Sequence, residues 1–337
     1  IIWLIFVVSA FGQDPQFSQY YNSPLYLNPA FTGTGENTRL GANYRTQWLG
    51  VGNPFVTYSV FADHFIEPYN SGVGLMLKRD KQGATALRST ELGLFYSYHV
   101  DLNEEWVFRP ALQTSFVVRD VDFSSAIFGD QLTNNGHTGG STSDQLFIQD
   151  PNYSFLDFNT GGIIYNRSVW IGVSGHHLSR PSQSFSQTAE SPLPLKLSVH
   201  GGYKIPLNYN AYRDQEIDKS IIPTFNYRKQ GPFHQLDLGT YVIYDPVMFG
   251  VWYRGIPVAR YPEGIKNNES IILMAGFNHN SLSVGYSFDV TVSSLTLKGG
   301  GAHEISLIYE FEYPYNTKKK YRKTLPCPDF NRKRKIF

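Results

Sequence analysis

Nine histidines are spread along the 337-residue chain, and of these only His176 and His177 are adjacent. Neighbours on a strand point to opposite faces, so this pair is badly placed to share one metal ion. His99, Ser198 and His200 are the residue types of a nucleophile and its base. They lack a Gly-x-Ser-x-Gly elbow, and the chain has no His-Glu-x-x-His zinc motif and no phosphate-cradling glycine loop. Asp120 and Asp122 offer oxygen donors, but calcium takes about six to eight of them. The residues therefore carry no catalytic, cofactor or metal motif. The expectation is a protein that is not an enzyme and works by binding.

Two stretches have the composition to bind. Residues 13–37 read QDPQFSQYYNSPLYLNPAFTGTGEN. Pro15, Pro24 and Pro29 bar a regular helix or a central strand, while the aromatic and leucine side chains require burial. Such a segment plugs a lumen, caps its mouth or docks on a partner. Tyr20, Tyr21, Pro24, Leu25, Asn28, Pro29 and Phe31 are the candidate contacts. Residues 314–337 hold nine Lys/Arg against the single acid Asp329, so the near-neutral total charge of +1 hides a basic tail on an acidic body. A basic block attracts an acidic partner or an anionic lipid surface. Within it, Leu325-Pro326-Cys327-Pro328-Asp329-Phe330 is stiff and apolar and suits a specific docking point. Lys318, Lys319, Lys320, Arg322, Cys327, Pro328 and Phe330 are the candidates there.

The elements between these ends show a period of two. Leu282, Val284, Tyr286, Phe288 and Val290 alternate with Ser281, Ser283, Gly285, Ser287 and Asp289. Leu195, Leu197, Val199 and Tyr203 alternate with Lys196, Ser198, His200 and Lys204. Each such run puts one greasy face opposite one polar face. About 14 segments of roughly 9–12 residues follow this rule between residues 38 and 313, a length that crosses a bilayer at a tilt. Asp289, Glu304, Glu310 and Glu312 cannot face hydrocarbon, so the polar faces are expected to line a wet lumen. Odd-numbered connections should be long and extracellular, even ones short and periplasmic. The fifth, about 119–155, is the longest, and Phe123, Asn134, Phe147 and Tyr153 are its candidate contacts. The seventh (about 178–194) and eleventh (about 257–268) are also long. An even strand count puts both termini in the periplasm. Tyr244, Tyr253, Tyr261, Tyr309 and Tyr313 stand where interfacial girdles form.

Composition agrees. Charged residues are 17% and aromatic residues 15% of the chain, with a mean hydropathy of −0.29. Disordered chains are poor in aromatics, and a disulfide scaffold needs cysteine pairs, whereas this chain has one cysteine. No internal apolar run reaches the roughly 20 residues of a membrane helix, and the overall charge does not suit a nucleic-acid binder. Residues 1–12, IIWLIFVVSAFG, resemble the apolar core of a signal peptide, with Ala10 and Gly12 at −3 and −1 before Gln13. The expected organisation is a signal-peptide remnant (1–12), a periplasmic or plug segment (13–37), a barrel (38–313) and a basic periplasmic tail (314–337). The fold class is all-β: a transmembrane antiparallel β-barrel of about 14 strands in a Gram-negative outer membrane. From the residues alone, an outer-membrane channel or hydrophobic-solute transporter competes with a partner-binding barrel.

The string Gln13-Asp14-Pro15-Gln16-Phe17-Ser18-Gln19-Tyr20, followed by Ser23-Pro24-Leu25-Tyr26-Leu27-Asn28-Pro29-Ala30-Phe31-Thr32-Gly33, resembles the opening of the PorP/SprF family. The resemblance runs through the barrel pattern to the Cys-Pro element of the tail. It implies a 14-stranded outer-membrane barrel tied to the type IX secretion system of Bacteroidota. It also implies partners: a secreted adhesin, including gliding adhesins, or another type IX substrate held by its C-terminal domain. Periplasmic lipoproteins of the secretion or gliding apparatus, and outer-membrane lipid, are implied as well.

Overall fold

The alternating runs form fourteen antiparallel strands: β1 (Arg39–Gln47), β2 (Phe55–Ile66), β3 (Ser71–Gln82), β4 (Leu87–Tyr98), β5 (Val107–Asp120), β6 (Tyr153–Tyr165), β7 (Val169–His176), β8 (Lys196–Tyr203), β9 (Lys219–Gln230), β10 (Phe233–Tyr244), β11 (Val247–Arg260), β12 (Lys266–His279), β13 (Leu282–Thr291) and β14 (Ala302–Glu310). The computed structural model describes residues 14–35, 37–83, 87–121, 129–133, 136–139, 141–143, 152–184, 191–207, 219–260, 266–279, 281–292, 299–311 and 325–327. Each strand pairs with its sequence neighbours. The ring closes where β1 pairs with both β2 and β14, with Arg39 opposite Asp63 on one side and Glu310 on the other. Closure leaves no unpaired edge, as a backbone surrounded by lipid requires.

Alternation sorts the side chains as expected. Leu75, Leu77, Leu92, Leu94, Leu112 and Phe116 are exposed on the outer face, whereas Lys78, Glu91, Gln113 and Ser115 on the same strands are buried inside. One end of the barrel carries the connections 121–152, 177–195 and 292–301. The other carries the short 67–70, 166–168 and 245–246, and also 204–218. A two-residue hairpin, Leu132–Thr133 with Gly136–His137, stands within the longest connection.

Two expectations differ. The eleventh connection is short, because β11 runs on to Arg260 and β12 starts at Lys266, with register shifts after Arg254 and Ile256 absorbing the extra residues. The lumen is also packed, not an open aqueous bore. Glu304 is fully buried, because Ser18 and Gln19 of the N-terminal segment lie against it.

Candidate functional site in the lumen

Residues 14–35 run the length of the barrel interior in three single turns: Tyr20–Asn22, Pro24–Leu27 and Pro29–Phe31. Pro24 and Pro29 open the second and third, where their fixed φ fits and no N–H is needed. Asn28 caps the third turn, its side chain accepting from Ala30 N at 2.9 Å. The prolines that forbid a long helix therefore begin short ones.

At the end with the long connections, the segment is held by charge. His177 follows β7 and places Nε2 2.8 Å from Asp14 Oδ2 and Nδ1 2.8 Å from Asp157 Oδ2. Lys196 Nζ lies 3.2 Å from the same Asp14 oxygen. Burial pulls the His177 pKa down, but the two carboxylates outweigh it and hold the ring at about 9. Burial pushes the Asp14 carboxyl up, yet His177 and Lys196 hold it well below the usual carboxylate range. Two small cavities border Asp14. The first is lined by Gln16, Arg228 and Gln230, the second by Lys78, Glu91 and His177.

One level further in, Ser18 is the hub of a buried ionic lattice. Its hydroxyl donates to Asp289 Oδ2 at 2.6 Å and accepts from Arg45 at 2.8 Å and Arg254 at 3.1 Å. Glu304 accepts from the backbone N–H groups of Ser18 (2.7 Å) and Gln19 (3.0 Å). Arg45 bridges Asp289 and Glu304, and Arg254 bridges Asp289 and Asp237, which also pairs with Arg228. Such charges persist inside a protein only when every partner is in place.

The other end of the lumen is aromatic. Tyr21 lies among Trp170, Phe31 and Tyr241 and accepts from Trp170 Nε1 at 2.9 Å. Tyr20 packs on Trp252. Leu325, 1% exposed, joins this cluster with Cys327 packed beside it. The N-terminal segment and residues 325–327 thus meet at the base of the barrel. Asn28 donates to the carbonyls of Gly162 (3.2 Å) and Val173 (3.1 Å). It fits because Gly161 has no side chain; a Cβ there would stand 2.0 Å from Asn28 Oδ1. The segment leaves the lumen through Asp63, which accepts from Gly33 N at 2.6 Å and from Arg39 Nε and Nη2, each at 2.9 Å.

The structure brings Tyr20, Tyr21, Pro24, Leu25, Asn28, Pro29 and Phe31 together inside the lumen, all buried. Cys327 belongs to the same site. The apolar knot of the tail thus has an internal seat: Leu325 docks on this chain's own aromatic base. Tyr153 stands apart at the start of β6, beside Phe155. Phe123, Asn134, Phe147, Lys318, Lys319, Lys320, Arg322, Pro328 and Phe330 lie outside the described residues, as do residues 1–13. Sequence reasoning passed over Asp14, Ser18 and the arginines Arg45 and Arg254. The signal for the arginines was available: both stand on the inward face of strands, where an unpaired guanidinium would not be tolerated. His99, Ser198 and His200 do not assemble: His99 faces Arg109, and His200 faces Asn28.

A closed antiparallel barrel of 14 strands, apolar outside, with no helix among the described residues long and apolar enough to span a membrane, defines an outer-membrane β-barrel protein, here filled by residues 14–35 with Leu325 packed against them. Residues 9–309 match the family described as type IX secretion system membrane protein PorP/SprF, and the chain belongs to that family. It is thus an outer-membrane component of the type IX secretion system, whose partners lie in the secretion machinery. No curated protein matches the chain. Among solved structures, the CymD monoaromatic hydrocarbon channel is similar at 13% identity and a TM-score of 0.43, over 87% of this chain and 93% of that one. A mutant of Rh. blastica porin is similar at 9% identity and a TM-score of 0.33, over 82% of this chain and 99% of that one.

Proposed function

We propose that this barrel is a plugged outer-membrane anchor that holds a secreted cell-surface protein, an adhesin, by its C-terminal domain. The end with the long connections 121–152 and 177–195 faces outward and receives that domain. The opposite end, with the basic tail, faces the periplasm and meets lipoproteins of the secretion or gliding apparatus. The observation that carries this reading is the lumen. Residues 14–35 occupy it from the Asp14–His177 pair to the Asp63–Arg39 pair, and neither cavity is lined by a residue of the aromatic base. A filled barrel suits a holder more than a pore. Asp289, Arg45 and Glu304 lock Ser18 in the lumen, while Leu325 ties the tail to the same plug, giving a continuous path from one face to the other.

Co-purification from native membranes tests it. Deleting 122–151 should leave an inserted barrel that no longer retains the surface protein. Deleting 314–337 should release the periplasmic lipoproteins instead. Unchanged retention in both variants would defeat the proposal. Large stable single-channel conductance by the intact chain would favour the channel reading.

A further inference from the structure

On the outer face, one sector breaks from the apolar belt. The outward row of β3 reads Val73, Leu75, Leu77 and then Arg79 and Lys81. That of β4 reads Arg88, Thr90, Leu92 and Leu94. The register sets Leu75 opposite Leu94 and Leu77 opposite Leu92, then Arg79 opposite Thr90 and Lys81 opposite Arg88. The belt therefore gives way on adjacent strands to three cations at the end with the long connections. Directly opposed residues lie about 5 Å apart at Cβ, and like charges so placed repel. Among the described residues only Asp120, opposite Arg88 and paired with it, offers a nearby acid to this row. Arg79 and Lys81 have no ion-pair partner among the described residues. The exposed ring of Tyr58 stands opposite Arg79 on β2. Asp120 offsets the charge of Arg88 and water screens the rest; an anion seated beside Arg79 and Lys81 gains the attraction of two cations that no described residue pairs.

We propose that Arg79, Lys81 and Arg88 form a binding site for the phosphate groups of an outer-leaflet glycolipid headgroup. The cations begin one step beyond Leu77 and Leu92, where the outward apolar rows of these two strands end, and headgroups lie at such a border between apolar and polar surface. Guanidinium groups match phosphate oxygens in fork geometry, and a lysine adds a point charge. Tyr58 offers a flat amphipathic ring beside them, as interfacial tyrosines do. The assignment rests on the orientation proposed above, with the long connections outward.

The test uses the full chain in mild detergent, with native mass spectrometry counting adducts of bisphosphorylated lipid A, of the same lipid A after phosphatase treatment, and of phosphatidylglycerol. The Arg79→Ser/Lys81→Ser double variant removes two outward side chains and should fold normally. Lys229→Ser, an exposed cation on β9, is the control. The expected result is at least a tenfold loss of lipid A adducts in the double variant, none in the control, and weak binding of the dephosphorylated lipid by all three. Equal adducts in the wild type and the double variant, or equal affinity for phosphatidylglycerol, would overturn the site. Thiol labelling of a cysteine introduced at Ser141, on intact and on permeabilised cells, reads the orientation separately. Labelling that appears only after permeabilisation would overturn both the orientation and the glycolipid occupant, whereas labelling of intact cells together with lost selectivity would overturn the site alone.

Discussion

The two ends of the lumen hold the same peptide by opposite physics. Around Ser18 the contacts are ionic and each depends on the others: Arg45, Asp289, Arg254, Asp237 and Glu304 are buried and mutually paired. Around Tyr21 the contacts are apolar and cumulative, with Trp170, Tyr241, Trp252 and Leu325 adding burial to a common cluster. The ionic end fixes register, because a slip of one residue would strand several charges at once. The aromatic end supplies adhesion that tolerates small shifts. It is also where the C-terminal segment reaches the plug, so a pull on the tail acts first on the more forgiving half.

This contrast is open to direct attack. Arg45→Ala leaves Asp289 and Glu304 short of a partner and should cost roughly 3–5 kcal/mol. Urea unfolding in lipid should show the loss, and limited proteolysis should cut near Phe17 well before Phe31. Equal cleavage at both places would erase the distinction between the ends. Leu325→Ala should cost less, about 2–3 kcal/mol, by opening a cavity at the base. Hydrogen exchange should then rise around Tyr20–Tyr21 with Ser18 unchanged. Gly161→Ala drives a methyl into Asn28 and should cost about 1–3 kcal/mol; amide exchange across Asn28–Phe31 would report it, and native protection there would argue that the niche is loose.

The smallest effect is one of pH. The His177 ring titrates near 9, above its usual 6.5, so its share of the latch is complete below pH 6.5 and fades as pH rises through 9. The Asp14 carboxyl sits well below 3.8, so its share is present above that value and fades only in strong acid. Asp157, Lys196, Lys78, Glu91 and His176 surround the pair and modulate it. Protection factors at Asp14–Phe17, each referred to the intrinsic exchange rate at its own pH, should therefore fall from pH 6.5 to 9.5 by the equivalent of ~1 kcal/mol, and His177→Gln should abolish that fall.

Much of the fold was legible in the residues. Leu282 to Val290 and Leu195 to Tyr203 alternate so regularly that the outer and inner faces could be read directly, and the fourteen strands follow from repeating that reading. The eleventh connection was misjudged because Gly255 and the register shifts near it break the alternation while the strand pairing continues. In the lumen, the aromatic candidates between Tyr20 and Phe31 were legible because exposed aromatics among prolines must find cover. Asp14 and Ser18 were not, because nothing local marks a small polar residue as a hub.

The division has a physical cause. Period-two alternation is a property of neighbours along the chain, so sequence alone determined the barrel, its strand count and which side chains meet lipid. What fills the lumen depends on pairings through space. Ser18 meets Glu304 across 286 residues, Asn28 meets Val173 across 145, and Leu325 returns to the cluster of Tyr20 and Tyr21. Only closure of the ring brings those partners to one axis, and only the tertiary structure decided that residues 14–35 and Leu325 share the inside of the barrel.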